Sequence, residues 1–520
     1  MKKTIGLLLC FFLVTINLVS CSYKSNETSK NKKQSRQTVN IDKSTYTKKV
    51  YKKNTEDKKD DIITLTLVQK DFIPSDPDNI EYINKINKAL INNKIEAKLE
   101  LVDLPEGDYN KKLEELIDGG IVPDIIWFRD GIDKKFSKQE ILLDLTDYIN
   151  DSDVFQNAME PINKTRIASY PYLLRIRYNT PKIAVVRKDW LDKLGLSIPE
   201  TVDDYYKVLK AFANSDFDNN GEKDTYGITV TGDTTRLDNI FNTAFSLETT
   251  WIKENDKFIY SKVSKYEKEK LAFYRKLLEK KILDPSYVTT TWDTMEYKLY
   301  TGKVGMIIGS AGPVIEIYEN KLKNTGVDTC LIPINPPKGR NGRQGLEPMN
   351  ITREKCGFAI SGLSNNKDLA FKVLEFMASD KGQFLDRLGI EGKDYTRDVN
   401  GEIMRTEKGS EWYSRFFDVP SWESPISLLS NVAKESLDIA NNYYKEDIIF
   451  DIPDEYLDKW ELMNNLYKEY SYKIINGQYE LNKFDEFVKR WYEMGGKEIT
   501  KIAQDELKKE GKLTKNNDEK

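Results

Sequence analysis

The chain has 520 residues and a mass of 60.3 kDa, which is more than one hydrophobic core normally serves, so at least two packed lobes are predicted. Its 80 basic and 84 acidic residues give a net charge of −4, and the mean hydropathy of −0.60 is typical of a soluble body. The sequence contains no histidine. Ser-His-Asp triads, His-ligated zinc and histidine general bases are therefore excluded.

The first twenty-one residues have the pattern of a secretory signal. Two lysines precede an apolar run of about fifteen residues, which is shorter than the roughly twenty needed to span a bilayer. The run closes on Leu18-Val19-Ser20-Cys21, which resembles the bacterial lipobox. That resemblance implies removal of residues 1–20 and acylation of the Cys21 thiol. The lipid would hold the protein on the outer face of the cytoplasmic membrane.

Residues 21–60 comprise Cys21 and a predicted disordered tether. From Ser22 to Asp60 there are twelve basic and five acidic residues and hardly any large aliphatic ones, so this stretch cannot form a core. Its charge of +7 suits either attraction to an anionic membrane surface or a merely solvated linker. Removing that +7 and the signal's +2 from the net charge leaves −13 on residues 61–520, which argues against a nucleic-acid partner.

The body opens with a predicted βαβαβ unit. Ile62–Val68 and Ile95–Leu101 have strand patterns, a helical apolar spacing lies between them, and a second helix leads to a third strand at Pro123–Phe128. This order predicts a parallel sheet, and ligands bind beyond the carboxyl ends of such strands. Trp127, Arg129 and Asp130 are therefore candidate ligand contacts, although Trp127 could equally be a core residue.

A second α/β body is predicted from about residue 180. Ile183–Val186 has a strand pattern, Thr201–Asp204 is a capping box before a helix, and residues 302–309 and 356–360 predict further strands. The two cysteines of the body, Cys330 and Cys356, adjoin apolar residues, which favours buried thiols over a disulfide.

The loop at residues 216–224 has the ligand spacing of an EF-hand. Side-chain oxygens fall at positions 1, 3, 5 and 9, a backbone carbonyl at position 7 and glycine at position 6, which suits the hard oxygen shell of Ca²⁺. Gly227 replaces the usual glutamate at position 12, and a strand follows in place of a helix. We therefore predict a structural calcium site, the alternative being an Asx-rich turn without metal. The predicted ligands are Asp216, Asp218, Asn220, Glu222 and Asp224.

Four stretches of the chain are similar to lipid-anchored extracellular solute-binding proteins of bacterial ABC importers, in particular to the large oligosaccharide-binding type. They are residues 186–196, residues 199–205 with the Asp-rich loop after them, residues 389–396 and residues 487–496. The resemblance covers about residues 61–510. It implies an α/β clamshell of the periplasmic-binding-protein type, whose two lobes each contain a mostly parallel sheet flanked by helices and close on a solute. Residues 61–172 with 335–387 would form the first lobe, and residues 173–334 with 388–515 the second.

A sugar-binding cleft needs aromatic platforms for the apolar faces of sugar rings and planar polar groups for their hydroxyls. The chain is 11% aromatic, although any single aromatic could instead be a core residue. Many members of the family that the chain resembles carry a tryptophan after the strand at 302–309, where this chain has Ser310-Ala311-Gly312-Pro313. The candidate platforms are Trp127, Tyr170, Trp251, Trp292 and Trp422, and the candidate polar contacts are Arg129, Asp130 and Glu347.

The sequence thus predicts a monomeric, non-enzymatic lipoprotein that captures a solute, with an oligosaccharide as the expected class. It would deliver that solute to permease subunits in the membrane, which a separate ATPase drives. Two alternatives remain open at this point. One is a surface-anchored glycan hydrolase that uses paired carboxylates, and the other is an adhesin or extracytoplasmic chaperone.

Overall fold

The computed structural model describes residues 62–509, except residues 71, 106, 218–219, 256 and 328–329. The predicted signal, the predicted lipidation site Cys21 and the predicted tether lie outside the described residues. In the part of the chain that is described, no helix combines the length and apolar character required to cross a membrane.

The described residues form strands at the predicted β-branched and aliphatic runs and at further runs that the sequence analysis does not predict. In chain order they are β1 (Ile63–Val68), β2 (Ala97–Leu101), β3 (Ile125–Arg129), β4 (Lys182–Arg187), β5 (Tyr226–Ile228), β6 (Trp251–Glu254), β7 (Lys257–Tyr260), β8 (Val304–Ser310), β9 (Leu331–Ile334), β10 (Cys356–Ile360), β11 (Tyr395–Arg397) and β12 (Ile403–Arg405).

Some of the helices begin at side-chain caps, and others begin without a capping side-chain hydrogen bond. Asp76 accepts the backbone N–H groups of Asp78 and Asn79, and Thr201 with Asp204 forms the predicted capping box. The helices are α1 (Pro77–Asn92), α2 (Tyr109–Asp118), α3 (Asp133–Lys138), α4 (Thr146–Asn150), α5 (Asp153–Ala158), α6 (Pro161–Ser169), α7 (Lys188–Leu194), α8 (Val202–Ala213), α9 (Thr235–Phe241), α10 (Lys265–Glu279), α11 (Trp292–Tyr300), α12 (Pro313–Asn324), α13 (Lys367–Ala378), α14 (Asp380–Leu388), α15 (Asn431–Tyr443), α16 (Leu457–Ile475), α17 (Lys483–Trp491) and α18 (Lys497–Lys509).

The first lobe is built on a four-stranded sheet in the order β10-β3-β1-β2. Strand β1 pairs in parallel with both β2 and β3, as the βαβαβ pattern predicts, and β10 adds an antiparallel edge. Leu65 and Leu67 of β1 are fully buried in the same core as Ile83 and Ile86 of α1. The carboxyl ends of β1 and β3 therefore lie side by side at one edge of the sheet.

The second lobe is built on a sheet in the order β5-β8-β4-β9. Strand β5 is parallel to β8, whereas β4 is antiparallel to both neighbours, so this sheet is mixed. Every residue of β8 except its last is buried. Gly305 lets helices approach closely, since a Cβ there would lie 2.4 Å from the Phe212 ring. The two-lobed α/β class is confirmed, but the prediction of a mostly parallel sheet is wrong for the second lobe, because β4 runs antiparallel to both of its neighbours.

The lobe boundaries differ from those predicted. Leu346 packs in the core of the second lobe, whereas Ile390, Phe416 and Val419 pack in that of the first. The chain thus crosses between the lobes after Ile176, after Leu346 and after Val419, and residues 388–419 belong with the first lobe.

A buried carboxylate explains this chain path. Asp386 of α14 accepts the backbone N–H groups of Arg415, Phe416 and Phe417 at 2.7–3.0 Å, which ties this segment to the first lobe. The two cysteines of the described chain form no disulfide, since Cys330 adjoins β9 and Cys356 begins β10 of the other sheet.

Candidate ligand-binding cleft

A cavity of about 450 Å³ lies between the two lobes. Its lining comes from the first sheet, from the crossing segment at residues 175–180, from residues 412–418 and from the start of α12 in the second lobe. A molecule in this cavity would contact both lobes at once, and ligand sites commonly lie at such domain interfaces.

The wall from the first lobe is aromatic. Trp127 of β3 packs edge-on against Phe358 with ring centroids 4.6 Å apart. Trp412 donates its ring N–H to the carbonyl of Asp386 at 2.7 Å, and Tyr413 beside it is 44% exposed. The rings are therefore fixed by their neighbours while they line the cavity.

Asp386 organises this wall from behind. Besides its three backbone donors it accepts the hydroxyl of Tyr82 at 2.6 Å, so the carboxylate receives four hydrogen bonds. Burial raises the pKa of Asp386, although these hydrogen bonds oppose the shift. The segment that carries Trp412 and Arg415 is thus anchored to α14.

The wall from the second lobe is mostly apolar. Ala311, Pro313, Val314 and Ile317 line it, together with Ser310. The segment that replaces the family's tryptophan therefore lies in the cavity and brings no aromatic ring. A side chain at Gly312 would be 2.9 Å from Leu437, and its φ of +76° favours glycine.

A second cavity, of about 510 Å³, adjoins the first and shares Arg177, Thr180 and Ser310 with it. Glu347 lines this second cavity, and burial raises its pKa. Burial likewise raises the pKa of Asp447, which also lines it, although Thr250 hydrogen-bonds that carboxylate. This cavity is the more polar of the two.

Three of the predicted ligand residues line cavities, each a different one. Trp127 lines the inter-lobe cavity, and Glu347 lines the adjoining one. Trp422 lines a different groove, of about 770 Å³, on the first lobe near Lys381 and Phe384.

The remaining predicted residues lie in none of these cavities. Trp251 is only 1% exposed and packs in the second core, so it cannot serve as a platform. Tyr170 donates to Asp133 at 2.7 Å, and Trp292 packs near Tyr318 with ring centroids 5.5 Å apart.

Arg129 and Asp130 form an ion pair with each other at 2.8 Å at the end of β3. The pair is partly exposed and lies outside the cavities described above. The topological rule located the correct edge of the sheet, but the side chain that faces the cavity is Trp127, two residues earlier.

Sequence reasoning missed the arginines of the cavity, among them Arg175, Arg405 and Arg415, and the neighbouring Trp412 and Tyr413. A signal was present in the run Trp412-Tyr413-Ser414-Arg415-Phe416-Phe417, where an arginine lies among four aromatic residues. Its position on the first lobe was hidden by the predicted boundary at residue 388.

The Asp-rich loop curls around Asp216. That carboxylate accepts the backbone N–H groups of Asn220 at 3.2 Å and Gly221 at 2.9 Å, and Gly221 has a φ of +88°. Asp224 is paired with Lys303 at 2.6 Å, and its hydrogen bond to the ammonium lowers the pKa of that carboxyl.

The fit of calcium to this loop is partial. Asp218 lies outside the described residues, and those described bring together no group of three or more acidic or cysteine side chains able to hold a metal. Asp216, Asn220 and Asp224 offer the hard oxygens that Ca²⁺ prefers, but Lys303 already neutralises Asp224. Calcium therefore stays a prediction.

Two α/β lobes joined by three crossings, with a cavity between them, define a two-lobed binding protein. The chain belongs to the bacterial extracellular solute-binding protein family, whose model matches residues 77–384. It is 25% identical over 434 residues to the lipoprotein LipO of Bacillus subtilis (strain 168), covering 78% of this chain and 85% of that protein. The polygalacturonan/rhamnogalacturonan-binding protein YtcQ of the same organism is 24% identical over 438 residues, covering 79% and 86%.

Solved structures share the fold. The N-glycan transport solute binding protein NgtS of Streptococcus pneumoniae superposes with a TM-score of 0.63 at 17% identity, covering 86% of this chain and 99% of that one. The alginate-binding protein AlgQ2, solved without calcium ion, gives a TM-score of 0.61 at 16% identity, covering 85% and 97%. At these identities the likeness concerns the fold alone.

Proposed function

We propose that this solute-binding protein captures an oligosaccharide between its lobes and delivers it to an ABC permease. The observation that carries the proposal is the inter-lobe cavity, in which the indole rings of Trp127 and Trp412 lie among planar polar groups. Aromatic faces pack on the C–H faces of sugars, and guanidinium and amide groups bind their hydroxyls. The name of YtcQ, a polygalacturonan/rhamnogalacturonan-binding protein, supports a glycan ligand.

The proposed mechanism is a shift between open and closed forms. A solute that contacts both walls gains interactions only in the closed form, so it shifts the population by its differential affinity. Two ion pairs already link the lobes, Lys134 with Asp451 at 3.1 Å and Lys138 with Asp454 at 2.9 Å. Because these side chains are exposed, each pair stabilises the closed form by at most about 1 kcal/mol. Contacts with the ligand must therefore supply the remaining free energy of closure.

The proposal includes a lipid anchor at Cys21 on the extracellular side of the membrane. The lipobox-like residues 18–21 and the name of the relative LipO support it. It also includes a structural calcium in the loop at residues 216–224, supported by the spacing of the loop and by the curl of its backbone around Asp216.

The test is calorimetry of the full chain against a glycan panel, combined with chromatography of the glycans afterwards. A binding protein gives saturable heat and a raised melting temperature and returns the glycan unchanged. Small-angle scattering with and without the bound glycan should show a smaller radius of gyration when the lobes close. Binding without any such decrease would contradict the closure mechanism.

The same chromatography tests the hydrolase alternative. Shortened glycan products that disappear in Glu347→Gln would establish catalysis, since a buried carboxylic acid with a raised pKa is what a glycosidase acid requires. We expect no shortened products, because the proposed closure mechanism binds the glycan without cleaving it.

A further inference from the structure

The inter-lobe cavity carries an excess of positive charge. Five arginines line it, namely Arg175, Arg177, Arg387, Arg405 and Arg415. The carboxylates in the same lining are Glu316 and Asp418, and it contains no lysine. Guanidinium groups can bind neutral hydroxyls, but an excess of arginines over carboxylates also favours a ligand that carries negative charge.

Two of the arginines have carboxylate partners. Arg387 pairs with Asp418 at 3.5 Å, and Arg177 pairs with Glu354 at 3.4 Å. Glu316 is not paired with an arginine of the lining. It accepts a hydrogen bond from the backbone N–H of Ser430 at 2.5 Å.

The other three arginines form no ion pair within the described part of the chain. Arg175 lies over the ring of Trp127 at 4.6 Å, and Arg415 lies over the ring of Tyr413 at 3.8 Å. Arg405 donates only a long hydrogen bond, of 3.4 Å, to the carbonyl of Leu428. Stacking fixes the guanidinium planes of Arg175 and Arg415 without pairing their charge with a carboxylate.

Several polar atoms of the lining are buried without a hydrogen-bond partner. They include Nε of Arg405, Nε and Nη1 of Arg415, and Nη1 of Arg387, whose residue is only 7% exposed. Oε1 of Gln69, a residue that is 6% exposed, is likewise buried without a hydrogen-bond partner. Buried donors that lack partners are costly, so a site that retains them is prepared for an acceptor that arrives from outside.

We propose that the cleft selects an anionic oligosaccharide, one that carries carboxylate or sulfate groups, over its neutral counterparts. This inference rests on the proposed function and names the class of solute. The forked guanidiniums of Arg405 and Arg415 bind the anionic group, since such pairs are geometrically matched and stronger than neutral hydrogen bonds. Trp127 and Trp412 pack on the sugar faces, and Oε1 of Gln69 accepts a hydrogen bond from a sugar hydroxyl.

Closure makes the selection sharper. The apolar wall of Ala311, Val314 and Ile317 excludes water when the lobes meet. A neutral ligand would then leave three guanidiniums dehydrated and unpaired, whereas an anionic ligand neutralises them.

The experiment compares matched ligands by calorimetry on the full chain at low ionic strength. The probes are uronate oligosaccharides of several linkages, the same oligosaccharides after reduction of their carboxyl groups to alcohols, and sulfated and plain neutral oligosaccharides. We expect at least one anionic probe to bind about 10- to 100-fold more tightly than its neutral counterpart, with the advantage falling as salt is added. The uronate and sulfate arms show which anion is preferred.

Variants assign the preference to the cavity. Arg415→Gln should reduce the anionic-over-neutral ratio about tenfold and Arg405→Gln similarly, whereas binding of the neutral counterpart should change less than about threefold. Arg343→Gln is the matched control, because it removes one exposed arginine that pairs with Glu248 away from the cavity. Melting temperatures of all variants check that they are folded, and the ligand comparison on the unmodified chain needs no variant.

The outcomes are distinguishable. Equal or tighter binding of neutral glycans overturns the anionic selection and leaves the proposed function intact. The absence of binding by any glycan overturns both. A preference for anions that persists in the double variant Arg415→Gln, Arg405→Gln also overturns the proposal that these two arginines select the anion. The positive charge that attracts it would then lie elsewhere in the protein.

Discussion

The buried ion network of the second lobe gives a sharp test of what holds that lobe together. Asp238 of α9 accepts from Lys270 at 2.6 Å and from Lys262 at 2.8 Å, and it also accepts the hydroxyl of Tyr274 at 3.0 Å. Glu267 completes the group at 3.1 Å from Lys270. Two ammonium groups and two carboxylates balance in a site where Lys270 and Glu267 are fully buried.

Replacing Asp238 by asparagine breaks that balance at nearly constant volume. At 2.6–2.8 Å and an effective dielectric constant of about 20, each ammonium loses roughly 6 kcal/mol of attraction. Much of this is already offset by the cost of dehydrating the ions in the folded chain. The net loss of stability should be about 3–5 kcal/mol, as for other buried pairs that lose one partner. This lowers the melting temperature of the second lobe by about 10 °C.

Urea unfolding followed by circular dichroism measures the loss. The control is Asp485→Asn, which removes an exposed pair with Lys268 at 2.8 Å and should cost less than about 1 kcal/mol. Adding Lys262→Met to Asp238→Asn should recover part of the loss, because it removes one unpaired charge. A cost for Asp238→Asn no larger than that of Asp485→Asn would refute the reasoning.

Acid provides an independent check of the same network. Burial by itself would raise the pKa of Asp238, but the ion pairs with Lys262 and Lys270 outweigh it and lower the pKa to about 2. A carboxyl whose folded pKa is depressed contributes stability above its unfolded pKa of about 4. The contribution, about 2 kcal/mol, is lost as the pH falls from about 4 toward 2. Asp238→Asn should therefore flatten the fall in stability over this range.

Three further predictions concern the inter-lobe cavity, the predicted calcium loop at residues 216–224 and strand β8 of the second lobe. Trp127→Ala should weaken glycan binding measured by calorimetry at least about tenfold, whereas Trp422→Ala, on the separate groove, should change it little. Calcium at one hundred times its Kd should add about 2.7 kcal/mol of stability, seen as a rise in melting temperature that EDTA and Asp216→Ala abolish. An unchanged melting temperature after exhaustive EDTA treatment would reject the metal. Gly309→Ala should cost about 1–3 kcal/mol in urea unfolding, because its Cβ would lie 2.4 Å from the Tyr318 ring.

The parts of the fold that could be predicted are those governed by local patterns. The apolar runs at β1 and β3 and the capping box at Thr201 depend on neighbouring residues only, so periodicity locates them. The right-handed crossover rule then orders β1, β2 and β3 in a parallel sheet. The mixed order of the second sheet depends on contacts between β4, β8 and β9 that no local pattern encodes.

The lobe boundaries and most of the site depended on long-range contacts. Residues 412–417 join the first lobe because one buried carboxylate, Asp386, binds their backbone, and a single Asp in a chain of many gives no such signal. Aromatic content predicts that platforms exist but cannot separate Trp127, which faces the cavity, from Trp251, which fills a core. That distinction is made by packing alone.

The two walls of the cleft differ in chemistry, and we expect them to act at different stages of solute binding. The charged and aromatic groups lie mainly on the first lobe and the crossing segment, where Trp127, Arg175 and Arg415 are held in place by stacking. The second lobe contributes Ala311, Val314 and Ile317, which offer little to a hydrated solute in the open form. A solute should thus bind the first lobe before closure, and the apolar wall should act afterwards by removing water and strengthening the charge interactions already made. Substitutions in the first wall should then change affinity in both forms, whereas a polar residue at Val314 should mainly disfavour the closed form.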